Sequence, residues 1–427
     1  MIYILFGGVL LLFFISYELT GKDFFSPSTM LTMVFLFSTT LAMYANIHLQ
    51  YTLHGKTVII IISCLALSIL IQHIEHKLYG RKMIRKRRRE SDKLSLSFQG
   101  IAIVYVSIVG MLMFYKIGSI SNSTAGLSAL IANFRLKNAT SLNVEYQIPT
   151  WLSQLYNLAG AIYYIIIFNL IFCRRRLLKI EKRLGVSYIV IYFLIGLLTG
   201  GRSNVIVFSI SILVMFHIVT IKEKGAFKKY TINELLKFFI IVAFILIMFY
   251  SAKMIVGRDS GLAFWDYIAF YFGNPIFLFD MYLELPPASS NIIGKETFYG
   301  LLDGLRKLGL INIEFYQTHL EYRTYNGVRL GNVYTAFRNY HYDFGYIGIF
   351  MLHSVFSIFF AKFYESLKRN YTELKAIVFS MVYYAIILYP FSNYLFRRII
   401  TLGFIAEVLM VILLYNIFMR KIIKVRY

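Results

Sequence analysis

The chain has 427 residues, of which 58% are hydrophobic and 15% are charged, and its formal net charge is +23. So much apolar surface excludes an ordinary soluble protein, because repeated apolar stretches of about 20 residues are typical of helices that cross a membrane. The positive charge does not indicate nucleic-acid binding, because no basic domain stands apart from the apolar segments and a Lys/Arg excess usually marks cytoplasmic loops beside anionic lipid. The composition therefore predicts an all-α polytopic integral membrane protein that is surrounded by membrane lipids and binds no nucleic acid.

Apolar windows long enough to cross a bilayer recur along the whole chain. Residues 1–20 lack a basic stretch and a small-residue cleavage site, so we expect a spanning helix there and not a signal peptide. Both cysteines lie inside apolar runs, so neither disulfides nor a cysteine metal site are predicted. We expect one transmembrane domain over residues 1–427, with about eleven transmembrane helices. The windows are residues 2–19, 28–46, 57–73, 98–117, 151–172, 186–200, 203–220, 235–252, 346–364, 375–391 and 399–418.

The charges of the connecting segments predict the orientation. The turn after the third window reads KLYGRKMIRKRRRESDK, and so many cations favour the cytoplasmic side. Alternation of the windows then places four further Lys/Arg-rich segments on that side. They are residues 174–183, 222–229, 362–375 and 420–427. We expect an extracytoplasmic amino terminus and a cytoplasmic carboxyl terminus.

The same alternation leaves a long segment, residues 253–345, on the outer side. A connection of this length with its own composition usually carries function. Within it, residues 264–283 are apolar and aromatic but are interrupted at Gly273, Asn274 and Pro275. We expect either a helix lying in the membrane interface or two half-helices that re-enter the membrane.

Several arginines fall on the predicted outer side, where basic residues are usually depleted. A guanidinium matches phosphate oxygens with two parallel hydrogen bonds, so a lipid-linked phosphate or pyrophosphate is a natural partner. The alternatives are that these arginines reach lipid headgroups or pair with carboxylates of the outer segment. Arg202 in the TGGRSN turn and Arg338 before the ninth window are the strongest candidates, because both lie at the membrane edge. Arg397, at the outer end of the last window, is a further candidate.

Other chemistry-bearing groups are fewer. Activation of a hydroxyl nucleophile calls for a base, and His341 and Asp343 are the candidates because they lie nearest to Arg338 in sequence. The His73-Ile-Glu-His76 pattern resembles a metal site but lacks further ligands, so no metal is predicted. No cofactor is predicted either, since there is no phosphate-binding Gly-rich loop or nucleotide motif. Glu407, inside the last window, serves either a proton or ion path or a contact with a neighbouring helix.

Three stretches carry a resemblance to a known family: the TGGRSN turn, GRD followed by YFGNPIFLFD, and NVYTAFRNYHYDFGYIG. With the helix number, the large outer segment and the basic inner turns, they resemble the Wzy-type oligosaccharide repeat-unit polymerases, which build O-antigen and capsule polysaccharides. The resemblance covers most of the chain and implies a GT-C-like fold in the bacterial cytoplasmic membrane. The chain departs from the Arg-x10-Gly pattern of some members, because neither Arg202 nor Arg338 is followed by Gly at that spacing.

The resemblance implies an extracytoplasmic, metal-independent glycosyltransferase without a sugar nucleotide. Such an enzyme moves a growing glycan from undecaprenyl pyrophosphate to the terminal sugar of the next lipid-linked repeat. Arginines would hold the pyrophosphates of these lipid-linked oligosaccharides, which points to Arg202, Arg258 and Arg338, and a chain-length regulator protein would be a possible partner. Two alternatives stay open: an O-antigen-type ligase and a lipid-linked oligosaccharide flippase or transporter. Transporters tend to show paired repeats and short loops on both faces, which this sequence does not.

Overall fold

The computed structural model describes residues 1–79, 92–123, 125–140, 146–201, 203–224, 232–257, 261–288, 290–313 and 320–420. Nearly every regular element in them is a helix. Nine of these are labelled α1 to α9: Ile2–Leu19, Pro27–Leu49, Gly55–Tyr79, Leu96–Ser121, Leu127–Thr140, Thr150–Phe172, Lys179–Leu198, Ser203–Lys224 and Ile232–Ile255. The others, α10 to α16, are Phe264–Phe272, Asn274–Glu284, Tyr299–Lys307, Ala336–Arg369, Glu373–Val382, Tyr384–Ile387 and Leu402–Leu414. Two π-helical turns, Leu395–Ile399 and Tyr415–Met419, precede and follow α16.

In the described part of the chain, nine helices are long and apolar enough to cross a membrane, so the protein is an all-α polytopic membrane protein. Two of the eleven predicted windows do not form such a helix. The window at 186–200 lies in α7, whose first turns carry four charged residues and leave a shorter apolar stretch. The window at 375–391 is divided at Tyr383 into the short helices α14 and α15, and α15 already ends at Ile387.

The helices form a core surrounded by a lipid-facing shell. Helix α6 lies at the centre, where every residue from Ala159 to Asn169 is buried. Helices α1, α9 and α16 lie at the periphery and are mostly exposed, yet they are as apolar as the core. A helix that is apolar on all faces but exposed on most of them is suited to contact with lipid chains.

The connecting segments gather at two ends of the bundle, as alternation of the spans predicts. At one end, the described contacts join segments of the predicted cytoplasmic set: Tyr364 to Asp23, Lys93 to Glu181, and Asp92 to Met419. At the other end they join segments of the predicted outer set: His54 to Asp280, Ser128 to Met254, and Asn393 to Thr297. We name these the inner end and the outer end after the predicted orientation, which itself stays a prediction.

The interrupted stretch at residues 264–283 forms two helices, α10 and α11, that meet at Gly273 beside α2. The approach is so close that a Cβ on Gly273 would lie 2.7 Å from the backbone nitrogen of Ala42. The Ser38 hydroxyl also donates a hydrogen bond to the carbonyl of Phe272 at 2.7 Å. Eleven residues separate Ser38 from Leu49 at the outer end of α2, so the corner lies about 16 Å below that end at a rise of about 1.5 Å per residue. The pair thus descends along α2 and returns.

A two-stranded hairpin, β1 (Arg323–Tyr325) and β2 (Val328–Gly331), stands between α12 and α13. The turn residues Asn326 and Gly327 both have positive φ, 46° and 77°. Two left-handed residues in a two-residue loop match the twist of a tight hairpin. The hairpin packs against α11 and leads directly into the start of α13.

Candidate anion site at the outer end

Arg338 lies in the first turn of α13 and is fully buried. Its two terminal nitrogens form ion pairs, Nη1 with Glu296 and Nη2 with Glu321. Its guanidinium carbon lies 4.8 Å from the ring centre of Tyr282 and 4.9 Å from that of Tyr334. A buried cation needs such partners, because an unpaired charge away from water is very costly. Arg338 is therefore the centre of a cluster that joins α11, α13 and the segments before α12 and β1.

The two carboxylates of this cluster differ in their electrostatics. Burial raises the pKa of Glu296, and the attraction of Arg338 offsets only part of that effect. Burial also acts to raise the pKa of Glu321, but there Arg338 and other donors outweigh it, so the pKa of Glu321 is lowered. With both groups ionised, two negative charges meet two positive ones, because Arg323 Nη2 also lies 3.3 Å from the Glu321 carboxylate. Arg338 thus presents no net positive charge to a phosphate, which would have to displace a carboxylate to bind it.

Asp343 and His341, the two predicted bases, lie around the same cluster. The Asp343 carboxylate accepts hydrogen bonds from the backbone N–H groups of Glu296 at 3.2 Å and of Thr297 at 2.6 Å. It thereby holds the turn that supplies Glu296. His341 is half-buried, and its Nδ1 lies 3.0 Å from the hydroxyl of Tyr282. Asp343 is committed to backbone groups, whereas His341 contacts a side chain that also lies against Arg338.

A cleft of about 310 Å³ lies next to this cluster and shares Tyr334 with it. Its walls are mostly aromatic and aliphatic, with hydroxyl and amide groups from Ser203, Asn332 and Ser392. The remaining lining residues are Gly200, Gly201, Ile206, Phe249, Tyr271, Phe272, Leu320, Val333, Tyr334, Leu388, Phe391, Tyr394 and Arg397. Aromatic faces with a few polar groups and one cation suit an amphiphilic ligand.

Arg397 supplies that cation. It lies in the π-helical turn before α16, and its guanidinium carbon is 5.5 Å from the ring centre of Tyr299. Among the described residues, none forms an ion pair or a hydrogen bond with its guanidinium. Burial lowers the pKa of Arg397, although a guanidinium stays charged at neutral pH. Of the predicted arginines whose side chains are described, Arg397 is the one whose charge is left for a ligand.

Arg202 and Arg258 lie outside the described residues, so the predictions made for them stay predictions. Their neighbours are described. Gly200, Gly201 and Ser203 line the cleft, and α8, a helix of 22 residues, begins at Ser203. The first N–H groups of a helix and its dipole favour anions, so the start of α8 adds positive potential to the cleft.

The cluster also contains a residue that the sequence did not indicate. Glu296 precedes Arg338 by 42 residues and lies in a turn between two short elements. Nothing in its local sequence marks it as the partner of a buried arginine. Tyr282 and Tyr334 were likewise hidden among the many tyrosines of an interfacial composition.

Comparison with known protein families, with curated proteins and with solved structures found no match to this chain. Within the described residues, no group of three or more His, Cys, Asp or Glu side chains is placed to hold a metal ion. The cleft and the Arg338 cluster are therefore the features of the molecule that bear on its function.

Proposed function

We propose that the protein is a polysaccharide polymerase of the bacterial cytoplasmic membrane. It would transfer a growing glycan from undecaprenyl pyrophosphate to the terminal sugar of a lipid-linked repeat unit on the outer face. The observation that carries this proposal is the free guanidinium of Arg397 in an aromatic cleft at the outer end of a membrane-embedded helical bundle. A pyrophosphate headgroup with a sugar on one side and a prenyl chain on the other has the matching polarity.

In this proposal Arg397 and the start of α8 stabilise the negative charge that develops on the leaving pyrophosphate. Arginine is suited to this role because its planar fork bonds two phosphate oxygens at once. The tyrosine faces of the cleft, Tyr271, Tyr334 and Tyr394, offer stacking surfaces for sugar rings. The proposed mechanism requires no metal and no cofactor.

The proton of the attacking hydroxyl must pass to a base. Of the two predicted bases, His341 fits that role better, because Asp343 already accepts two backbone hydrogen bonds. Arg338 would then be a positioning residue, which holds Tyr334 and the hairpin against the cleft and does not itself bind the pyrophosphate. Lipid-linked oligosaccharides are the proposed substrates, and a chain-length regulator is a proposed partner.

The test uses the purified protein in proteoliposomes with lipid-linked repeat units as the only substrate. A polymerase lengthens the lipid-linked chains, whereas an O-antigen-type ligase leaves them unchanged until a lipid-core acceptor is added. Arg397→Ala is expected to abolish lengthening, and Arg397→Lys to restore it only in part, because an ammonium cannot bond two oxygens in one plane. Arg306→Ala is the matched control, since Arg306 is an exposed outer arginine paired with Asp303.

A flippase would give a different result. The unmodified protein would then move repeat units across the bilayer without lengthening them. Absence of lengthening by the folded wild-type protein, with translocation present, would refute the proposed polymerase. Normal lengthening by Arg397→Ala would refute the assigned pyrophosphate site while leaving the activity in place.

A further inference from the structure

Helices α3 and α13 pack against each other along a line of buried polar side chains. The two helices run in the same direction, and their contacting polar residues keep a nearly constant register. We name this line the α3–α13 seam. Its members on α3 are Ser68, Gln72 and His76, with the carbonyl of Cys64, and its members on α13 are His353, Ser357 and Glu365.

The upper half of the seam is a chain of short hydrogen bonds centred on His353, which is fully buried. Its Nε2 lies 2.7 Å from the Cys64 carbonyl oxygen and 2.7 Å from the Ser68 hydroxyl. Ser68 continues to the hydroxyl of Ser357 at 2.7 Å. Because a carbonyl only accepts, the Cys64 oxygen places a hydrogen on Nε2 and leaves Nδ1 as an acceptor.

The chain continues from Nδ1 of His353 toward the outer end. The hydroxyl of Tyr389 donates to Nδ1 at 2.8 Å. The ring centre of Tyr389 lies 6.3 Å from that of Tyr340, whose hydroxyl donates to Asn393 at 3.3 Å. The Asn393 amide in turn donates to the carbonyl of Thr297, the residue after Glu296, so these contacts end beside the Arg338 cluster.

The lower half of the seam contains charged groups. The Gln72 amide donates to Glu365 Oε1 at 2.9 Å, and His76 Nδ1 lies 3.3 Å from that same oxygen. The side chain of His76 is 34% exposed, so this half opens at the inner end. Lys368 lies 3.6 Å from Glu365 and 3.3 Å from Asp23, which extends the polar contacts sideways.

Two buried oxygens between the halves have no hydrogen-bond partner in the described part of the chain: Oε1 of Gln72 and Oε2 of Glu365. At the corresponding position of α13, between Ser357 and Glu365, the small side chain of Ala361 is buried. Buried polar atoms without a protein partner are the usual sites of ordered water, which bridges two to four polar groups. A water here would join the hydroxyl chain to the carboxylate.

We propose that the α3–α13 seam conducts protons between the inner end of the bundle and Tyr389, whose carbonyl accepts a hydrogen bond from Ala336 at the start of α13. Ionisable groups inside a spanning helix are costly, and those that persist often serve proton relays. From Tyr389 to Ser357 every member, the tyrosine hydroxyl, the imidazole and the two serine hydroxyls, can both donate and accept hydrogen bonds. Four groups that can pass a proton, Tyr389, His353, Ser68 and Ser357, thus stand in succession.

The spacing selects a proton as the species that moves. Contacts of 2.7–2.8 Å between Tyr389, His353, Ser68 and Ser357 leave no room for an ion among them. A proton that enters from Tyr389 binds Nδ1 and forms the imidazolium, and the Nε2 proton then leaves to Ser68. The Ser68 hydroxyl passes its own hydrogen to Ser357, which releases one toward the oxygens of Gln72 and Glu365. The imidazole now carries its hydrogen on Nδ1, so rotation of the ring together with the hydroxyls resets the chain. Movement in the opposite direction uses the same bonds.

The test measures proton flux in proteoliposomes of the full-length protein loaded with a pH-sensitive dye. A potassium diffusion potential set with valinomycin drives protons across the membrane. We expect vesicles that contain wild-type protein to conduct protons faster than protein-free vesicles. Ser68→Ala is expected to lose most of that added flux, because the Ser68 hydroxyl links His353 to Ser357 by hydrogen bonds. Ser68→Thr keeps the hydroxyl and is expected to retain the flux.

Ser354→Ala is the matched control, because Ser354 is a partly exposed hydroxyl on α13, outside the seam, that donates to the Phe350 carbonyl of its own helix at 2.7 Å. Its flux is expected to equal that of wild type. Wild-type flux no greater than that of protein-free vesicles would overturn the proposal, and so would full flux in a folded Ser68→Ala. The measurement contains no glycan, so its failure is distinct from a failure of the proposed polymerase activity.

Discussion

The guanidinium of Arg338 lies 4.9 Å from the ring centre of Tyr334, and that ring forms part of the wall of the cleft that contains Arg397. The hydroxyl of Tyr334 donates to the carbonyl of Glu321, the carboxylate of which pairs with Arg338. Arg338 and Arg397 are thus linked through Tyr334, but they differ in whether their charge is paired with carboxylates. One is buried and neutralised, and the other is free to meet a ligand.

This difference predicts opposite consequences of removing each arginine. Arg338→Ala leaves Glu296 and Glu321 buried without their cation, and loss of one partner from a buried ion pair costs about 3–5 kcal/mol. We expect the variant to melt well below wild type in detergent, by scanning fluorimetry. Arg338→Lys is expected to recover only part of the loss, because one ammonium cannot serve both carboxylates in the same geometry.

Arg397→Ala is expected to melt close to wild type but to lose activity, by about 100-fold if its role matches that of a transition-state charge donor. The measurement is the rate of lengthening of lipid-linked chains, with melting temperature recorded on the same sample. If Arg397→Ala instead unfolds while Arg338→Ala stays folded and inactive, the two roles have been exchanged.

Much of the helical plan was predictable because hydropathy and length mark a spanning helix directly, as they do for Ile2–Leu19 and Thr150–Phe172. The division of residues 375–391 into two short helices was not predictable, because the apolar composition of this run is the same for one helix or two. Asn326-Gly327 is a strong turn signal, but the residues on either side of it show little strand pattern, so the sequence does not predict the hairpin. The position of Arg397 in the sequence made it a candidate for anion binding. That its charge is left for a ligand could not be predicted, because this depends on which carboxylates pair with Arg338 in the folded protein. Glu296 is one of these carboxylates, and it lies 42 residues before Arg338, so the sequence around neither residue identifies the pair.

Gly273 is predicted to be indispensable for the α10–α11 corner. A Cβ there would lie 2.7 Å from backbone atoms of Leu41 and Ala42, which cannot move aside as a side chain does. Gly273→Ala is therefore expected to destabilise the protein by about 1–3 kcal/mol, the usual cost of overpacking. Gly100→Ala in α4 is the control, because a Cβ there meets nothing within 4 Å. Equal melting temperatures for the two variants would contradict the close approach.

The contact between His54 and Asp280 predicts a dependence of stability on pH. Asp280 is buried and accepts from His54 Nδ1 at 2.7 Å, and this hydrogen bond raises the pKa of His54. A raised pKa means that the folded protein holds the proton more tightly than the unfolded chain. The stabilisation is therefore complete below the unfolded value of about 6.5 and is lost as pH rises through the folded value.

We expect the melting temperature to fall as the buffer goes from about pH 6 to about pH 9, and His54→Gln to remove that part of the dependence. His48→Gln is the control, since His48 is an exposed histidine of the same end that lies against Tyr44. A pH profile of His54→Gln identical to that of wild type would show that the pair does not titrate in this range.

The two carboxylates on Arg338 are predicted to differ in their tolerance of neutralisation. Burial raises the pKa of Glu296, so its charged form is the less favoured of the two, whereas the pKa of Glu321 is lowered because Arg338 and its other donors outweigh burial. A glutamine keeps the shape and one acceptor oxygen but removes the charge. Glu296→Gln is therefore expected to cost less stability than Glu321→Gln. The double variant is expected to be worse than either, because Arg338 then has no anion. The check is a comparison of melting temperatures of the three variants at one pH, with a larger loss for Glu296→Gln than for Glu321→Gln as the contradicting result.

On acidification Glu296 should take up its proton first, leaving Glu321 as the remaining counter-ion of Arg338. The wild-type protein should therefore approach the behaviour of Glu296→Gln, and not that of Glu321→Gln, as the pH falls.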